Sequence, residues 1–202
     1  VLVSNSAGVH AIPIAEHVLA YMLIFARGFL SSLENQKKRL WQRGTDLTEL
    51  YEKTVLIVGM GNIGSEVARR AHAFGCRVVA LTRSGKTNSR FVHEIHKASA
   101  LGRLLPKADF VISCLPGTLE THHIFDYGAF RLMKPTAYFI NIGRGSLVHE
   151  KDLGAALDKK LIAGAALDVA EIEPLPASSP LWTMPNVIIT PHHSGSSEYR
   201  AM

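Results

Sequence analysis

Four ionisable side chains stand just beyond apolar runs: Arg144 in "NIGRGSLV", Asp168 and Glu173 in "ALDVAEIEPLP", and His192 in "TPHHSG". In doubly wound sheets the ends of such strands are where ligands bind. Each side-chain type brings its own chemistry. A guanidinium holds a carboxylate through a planar fork that lysine lacks. An imidazole titrates near neutral pH and can give a proton to a developing alkoxide. A carboxylate beside the imidazole, the place of Glu173, orients the ring and steadies the imidazolium. Together they supply an anion clamp, a carboxylate and a proton donor.

The partner for that chemistry is read upstream, in "TVLIVGMGNIGSEVARRAHAFG". Gly59 permits a tight turn after a strand, Gly61 lets the backbone approach a pyrophosphate, and Gly64 lets the following helix pack closely. Asn62 and Ile63 complete the helix's first turn, whose free N–H groups and positive dipole end favour a phosphate. A dinucleotide seated there brings hydride chemistry. Hydride to a keto carbon, a proton from His192 to its oxygen, and Arg144 on an adjacent carboxylate add up to reduction of a 2-oxo acid.

The second strand, "RVVALT", runs into "RSGK". An acid about 20 residues past the glycine turn binds the ribose hydroxyls of NAD. Thr82 stands there instead, followed by Arg83, Ser84 and Lys86, so the basic turn is expected to hold the 2′-phosphate of NADP. The expected cofactor is NADP(H), with NAD(H) possible.

These residues need a scaffold. Apolar runs recur at 54–59, 77–82, 109–115, 137–143, 164–169 and 186–190, without alternation, as strands covered on both faces do. The intervals leave room for crossover helices, so the expected fold is α/β, a doubly wound parallel sheet of Rossmann type. Residues 51–195 form that domain. Residues 1–50 add a helix opened by Pro13, with Ile14, Val18, Tyr21, Met22 and Phe25 on one stripe, and then a polar arm. That stripe could face a second copy or the domain's own sheet. Residues 196–202 read as the start of a helix, and both ends of the chain look cut.

Composition narrows the class. With 47% hydrophobic and 19% charged residues, the chain can bury a core and is not disordered. No apolar run is long enough to span a bilayer and no signal sequence opens the chain, so a cytoplasmic location is the expectation. A net charge of +5 suits an anionic ligand, and "KKRLWQR" lacks the pattern of a nucleic-acid module. Neither nucleic acid nor membrane is an expected partner. Cys76 and Cys114 read as buried free thiols, and the histidines at 93, 96, 122, 123, 192 and 193 lack a zinc-site pattern, so no metal is expected.

In the order "AGVHAIPIAEHVLAYML", "GMGNIG", "LPGTLETHHIF", "INIGRGSLV", "GAALDVAEIEPLP" and "ITPHHSG", nearly the whole chain resembles the nucleotide-binding domain of the D-isomer-specific 2-hydroxyacid dehydrogenase family. The resemblance implies catalytic places for Arg144, Glu173 and His192, and a nicotinamide contact for Asp168. It puts Leu115, Pro116 and Thr121 in a loop along the cofactor, with Ile142, Gly143 and Gly195 at the strand ends facing it. It also implies a small 2-oxo acid substrate and a homodimer.

Thr82-Arg83-Ser84 is similar to the pattern of NADPH-preferring glyoxylate/hydroxypyruvate reductases, whereas His10 replaces a usual asparagine. The family's first lobe and last helix have no counterpart here. Without the closed cleft between lobes, this chain is expected to bind cofactor but turn over slowly. Some relatives act as cofactor-sensing corepressors, which is the alternative reading; a stand-alone nucleotide-binding module is another.

Overall fold

A computed structural model describes residues 8–44 and 47–197. The chain runs α1 (Ala11–Ala26), α2 (Phe29–Lys37), β1 (Thr54–Val58), α3 (Asn62–Ala73), β2 (Arg77–Thr82), β3 (Glu94–Lys97), α4 (Leu101–Leu104), β4 (Phe110–Ser113), α5 (Tyr127–Leu132), β5 (Tyr138–Asn141), α6 (Glu150–Asp158), β6 (Gly164–Leu167) and β7 (Val187–Ile189). The strands form one parallel sheet in the order β3-β2-β1-β4-β5-β6-β7. All six expected strands are present.

The lack of alternation in the apolar runs has a direct cause. Leu56, Val58, Val111, Phe139 and Leu167 point to one face, packed under α5 and α6 with Phe130 and Leu153. Their neighbours Val55, Ile57, Ile112, Ile140 and Ala166 point to the other, under α1 and α3. Both faces are dry, so both side-chain sets are apolar; each fully buried Leu or Ile contributes roughly 1.5–3 kcal/mol.

The edges differ. β7 is only half-buried, and β3 was not legible as a strand, because "EIHK" offers one apolar residue in four. Sheet pairing holds it in place, with Ala80 opposite Ile95. Arg77 also pairs with Glu94 across the two strands.

Several strands end before the apolar runs that announced them. β4 stops at Ser113, β5 at Asn141 and β6 at Leu167. The next residues leave the ladder to line the cleft described below.

The apolar stripe of α1 settles one expectation against the other. Ile14, Val18, Tyr21, Met22 and Phe25 are buried in this domain's own core, against Val67, Ala68 and Ala71 of α3. The stripe is therefore not a subunit surface. Helix α2 and the segment after it are exposed instead, with Phe29, Leu33, Leu40 and Trp41 facing out. Among the described residues no single helix is long and apolar enough to cross a membrane. Of the expected helix start at Ser196 to Arg200, Ser196 and Ser197 are described and not helical, and the rest lies outside the described residues. The apolar run at Val1 lies outside them too.

Candidate active site at the strand ends

The glycine bend sits where β1 meets α3. Gly59 has φ +108°, a backbone that L side chains rarely adopt, and a Cβ there would stand 2.8 Å from the Cys114 carbonyl oxygen. A Cβ on Gly64 would stand 2.1 Å from the Gly59 carbonyl, so helix and bend touch through backbone. Gly61 is different: its Cβ would meet nothing within 4 Å. Space is thus kept open in front of the first turn of α3, which carries no side-chain cap. The bend fits a pyrophosphate, which would take up the N–H groups of Gly61, Asn62, Ile63 and Gly64.

At the end of β2, Val58 lies beside Leu81 and Gly59 donates to the Leu81 carbonyl at 3.0 Å. The turn that follows is folded by Thr82, whose Oγ1 accepts from the N–H of Gly85 (2.8 Å) and Lys86 (3.1 Å). Thr82 therefore shapes the turn with its hydroxyl, while Ser84 Oγ accepts from the Lys86 N–H at 3.3 Å. Arg83 and Lys86 are exposed and form no ion pair among the described residues.

A cleft of about 860 Å³ runs from the bend across the sheet. Its wall includes Gly61, Asn62, Ile63, Gly64, Pro116, Ile142, Arg144, Asp168, His192 and Gly195. Leu115 and Gly143 support it through backbone, since a Cβ on Gly143 would lie 2.6 Å from the Leu115 carbonyl. Thr121 ties the 116–121 loop to itself, donating to the Pro116 carbonyl at 2.7 Å and accepting from the Thr118 N–H at 2.9 Å. His10 also lines the cleft and donates from Nδ1 to the Gly195 carbonyl at 3.0 Å.

His192 has φ 50°, and its Nδ1 lies 2.7 Å from Glu173 Oε2. With Nδ1 held by the carboxylate, Nε2 is the ring atom left for a reactant. Glu173 uses its other oxygen to accept from its own loop, at the Ala170 N–H (3.1 Å). Arg144 is exposed and spends one N–H on the Gly143 carbonyl at 2.7 Å. Gly145 lies against the Glu173 loop, where a Cβ would fall 1.7 Å from the Ala170 carbonyl oxygen.

Asp168 plays a part its type and position did not disclose. The residue is buried, and its Oδ1 accepts from Thr190 Oγ1 (2.5 Å) and the His193 N–H (3.0 Å). Oδ2 accepts from the Ser194 N–H at 3.1 Å and from the Ser194 hydroxyl. Its backbone carbonyl also accepts from the His192 N–H at 2.8 Å. Burial would raise this carboxyl, but the Ser194 and Thr190 hydroxyls and the Ser194 and His193 N–H groups outweigh it and hold it below its ordinary value. Asp168 is the anchor of the turn that carries His192.

Behind Asp168 runs a chain of hydroxyls that the sequence reading missed. Thr190 must donate to the carboxylate, so its oxygen accepts from the Tyr21 hydroxyl at 2.5 Å. Tyr21 in turn accepts from His17 Nε2 at 2.9 Å. Burial and nearby His193 lower the His17 pKa against the pull of Asp168, and burial raises that of Tyr21. The His17, Asp168 and His193 donors approach one another within 4.8 Å, but the carboxylate is already engaged by four protein donors, a poor basis for a metal. Burial also keeps the free thiols protonated, with Cys76 pushed up to about 11 and Cys114 to about 12.

Trp182 neither enters the cleft nor is buried. It donates Nε1–H to the Pro176 carbonyl at 3.0 Å and, with Glu173 and His192, lines a cavity of about 370 Å³. His123 bonds Glu171 at 2.7 Å. His93 accepts from the Val78 N–H at 3.0 Å, and His96 meets Glu94 at 3.0 Å.

A parallel doubly wound sheet, a glycine bend opening on a helix N-terminus and a cleft at the strand ends define a dinucleotide-binding lobe. The family model for the D-isomer specific 2-hydroxyacid dehydrogenase NAD binding domain matches residues 19–194. The chain belongs to this family. A glyoxylate/hydroxypyruvate reductase B of Pectobacterium carotovorum is 41% identical over 184 residues, covering 89% of this chain and 57% of its own. The phosphoglycerate dehydrogenase of Lactobacillus plantarum superposes with a TM-score of 0.90 at 39% identity, covering 100% of this chain and 65% of its own. An NADPH-dependent glyoxylate/hydroxypyruvate reductase of Sinorhizobium meliloti, in complex with NADP and sulfate, gives 0.87 at 34% identity, with 99% and 63% covered. The chain thus spans about three-fifths of the length of such relatives.

Proposed function

We propose that this chain is the cofactor-binding and catalytic lobe of an NADPH-preferring reductase of small 2-oxo acids, of the glyoxylate or hydroxypyruvate kind. The observation that carries the reading is the His192–Glu173 pair at 2.7 Å, whose imidazole lines the same cleft as Arg144 and the glycine bend. The dinucleotide, when bound, supplies the hydride. His192 gives the proton from Nε2 to the substrate oxygen, because Nδ1 is committed to Glu173. Arg144 keeps guanidinium N–H groups beyond the one on Gly143 to grip the substrate carboxylate.

Preference for NADPH rests on Arg83, Ser84 and Lys86, exposed on a turn that holds no acid. The relatives named as glyoxylate/hydroxypyruvate reductases, one of them NADPH-dependent and solved with NADP, support both parts. The same reading takes the protein as a homodimer, supported by exposed Phe29, Leu33, Leu40 and Trp41.

The test is a panel of glyoxylate, hydroxypyruvate and larger 2-oxo acids with NADPH and NADH on the intact protein. Turnover with NADPH and a small 2-oxo acid is expected. Equal use of NADH would remove the cofactor assignment. Tight NADPH binding without turnover of any 2-oxo acid would replace the enzyme by a cofactor sensor.

A further inference from the structure

His123 lies outside the cleft, yet it joins two loops that the reaction uses. Its Nε2 meets Glu171 Oε1 at 2.7 Å, with 27% and 32% of the two side chains exposed. On the near side, His123 follows the cofactor loop of Pro116 to Thr121 by two residues and donates its own N–H to the Ser146 carbonyl at 2.9 Å. On the far side, Glu171 is two residues from Glu173 and next to Ala170, whose N–H Glu173 holds.

His123 is itself fixed. Its backbone has φ 51°, in the left-handed region, and its ring lies edge-on to His149 at 4.8 Å and against His122 at 3.8 Å. Such a backbone is strained for a non-glycine residue and aims the imidazole at one place. Glu171 needs that imidazole. Glu171 and Glu150 exchange bonds, the Glu171 N–H to Glu150 Oε1 at 2.5 Å and the Glu150 N–H to Glu171 Oε2 at 3.3 Å. The two carboxylates therefore stand close, and burial together with the Glu171 charge raises the Glu150 carboxyl. Among the described residues His123 is the one side-chain donor on Glu171, and it offsets this repulsion.

We propose that His123 is a positioning residue: gripping Glu171, it holds the 170–173 segment so that Glu173 stays on His192 Nδ1 while the cofactor loop is in place. The proposal rests on the reductase reading, and its test separates the two. In the intact protein, His123→Ala is expected to lower kcat about ten-fold, the worth of roughly one hydrogen bond to a charged group. KM for NADPH should change less than two- to three-fold, by the same reasoning that the bond does not touch cofactor.

His123→Gln, whose amide can donate to the same oxygen, should restore most of the loss. Adding Glu171→Gln to His123→Ala should cost little more, since both remove one contact. Proton NMR reads the contact without turnover: the low-field His192 Nδ1–H signal should broaden in His123→Ala and return in His123→Gln. Unchanged kcat and an unchanged signal would overturn the proposal, as would a glutamine variant as poor as the alanine. If wild-type protein turned over no 2-oxo acid while the signal still followed His123, the functional reading would fail and the positioning role would stand.

Discussion

The glycine bend and the His192 turn are built in opposite ways. At the bend, Gly59, Gly61 and Gly64 lie within one strand-to-helix connection: a Cβ would strike backbone at Gly59 and Gly64, while Gly61 faces open space. At the turn, His192 depends on Asp168, Glu173 and Thr190, and through Thr190 on Tyr21 and His17 of α1. A phosphate seat can thus be read from one motif. The His192 imidazole is held by residues from three segments, and its support is invisible until the chain is folded.

The contrast predicts where substitutions act. The largest effect belongs to the turn: His192→Ala should lower kcat by about 10²- to 10⁴-fold while leaving NADPH affinity, measured by fluorescence titration, nearly unchanged. Loss of binding would mean that the two regions are not separable. Next comes the basic turn after β2. Arg83→Ala should weaken NADPH by about 10- to 150-fold, the range for one charge-assisted bond, and leave NADH unaffected; an equal loss for both cofactors would remove the 2′-phosphate assignment.

The two inner glycines sharpen the picture further. Gly64→Ala must push apart helix and bend, so thermal unfolding should show a loss of about 1–3 kcal/mol. Gly61→Ala, with open space around the new methyl, should leave stability within about 0.5 kcal/mol and weaken cofactor instead. Tyr21→Phe cuts the hydroxyl chain behind Asp168. Its expected cost is about 1 kcal/mol in stability, with kcat reduced and cofactor affinity intact.

Acid probes the anchor itself. A carboxyl held below its ordinary value stabilises the fold above the unfolded value near 4 and loses that contribution as pH falls through the lower folded value. The gap in Tm between wild type and Asp168→Asn should therefore be full at pH 6 and close toward pH 3. A gap that stayed constant would show that Asp168 acts by shape rather than charge.

Much of this was legible in the residues. Six strands announced themselves because both faces of the sheet are covered, and the glycine spacing announced the bend. β3 did not, since a half-buried edge strand needs few apolar side chains. The strand ends also ran long in the sequence, because Ile142 and Val169 remain buried after leaving the ladder. The placement of Arg144, Glu173 and His192 just past strand ends was also readable from the apolar runs before them. Asp168 as an anchor, Tyr21 as a relay and His123 as a brace were not, since each acts through a residue far away along the chain. The stripe of α1 carried both meanings, a subunit face and a sheet cover, until packing against α3 decided it.

The bare contact of Gly145 with the Ala170 carbonyl sets a gauge. Because two main chains meet there with no side chain as a spacer, the guanidinium that follows one strand and the acid that follows the next cannot drift apart independently. A lineage exploring bulkier reactants would find this spacing frozen, and would have to make room in other walls of the cleft.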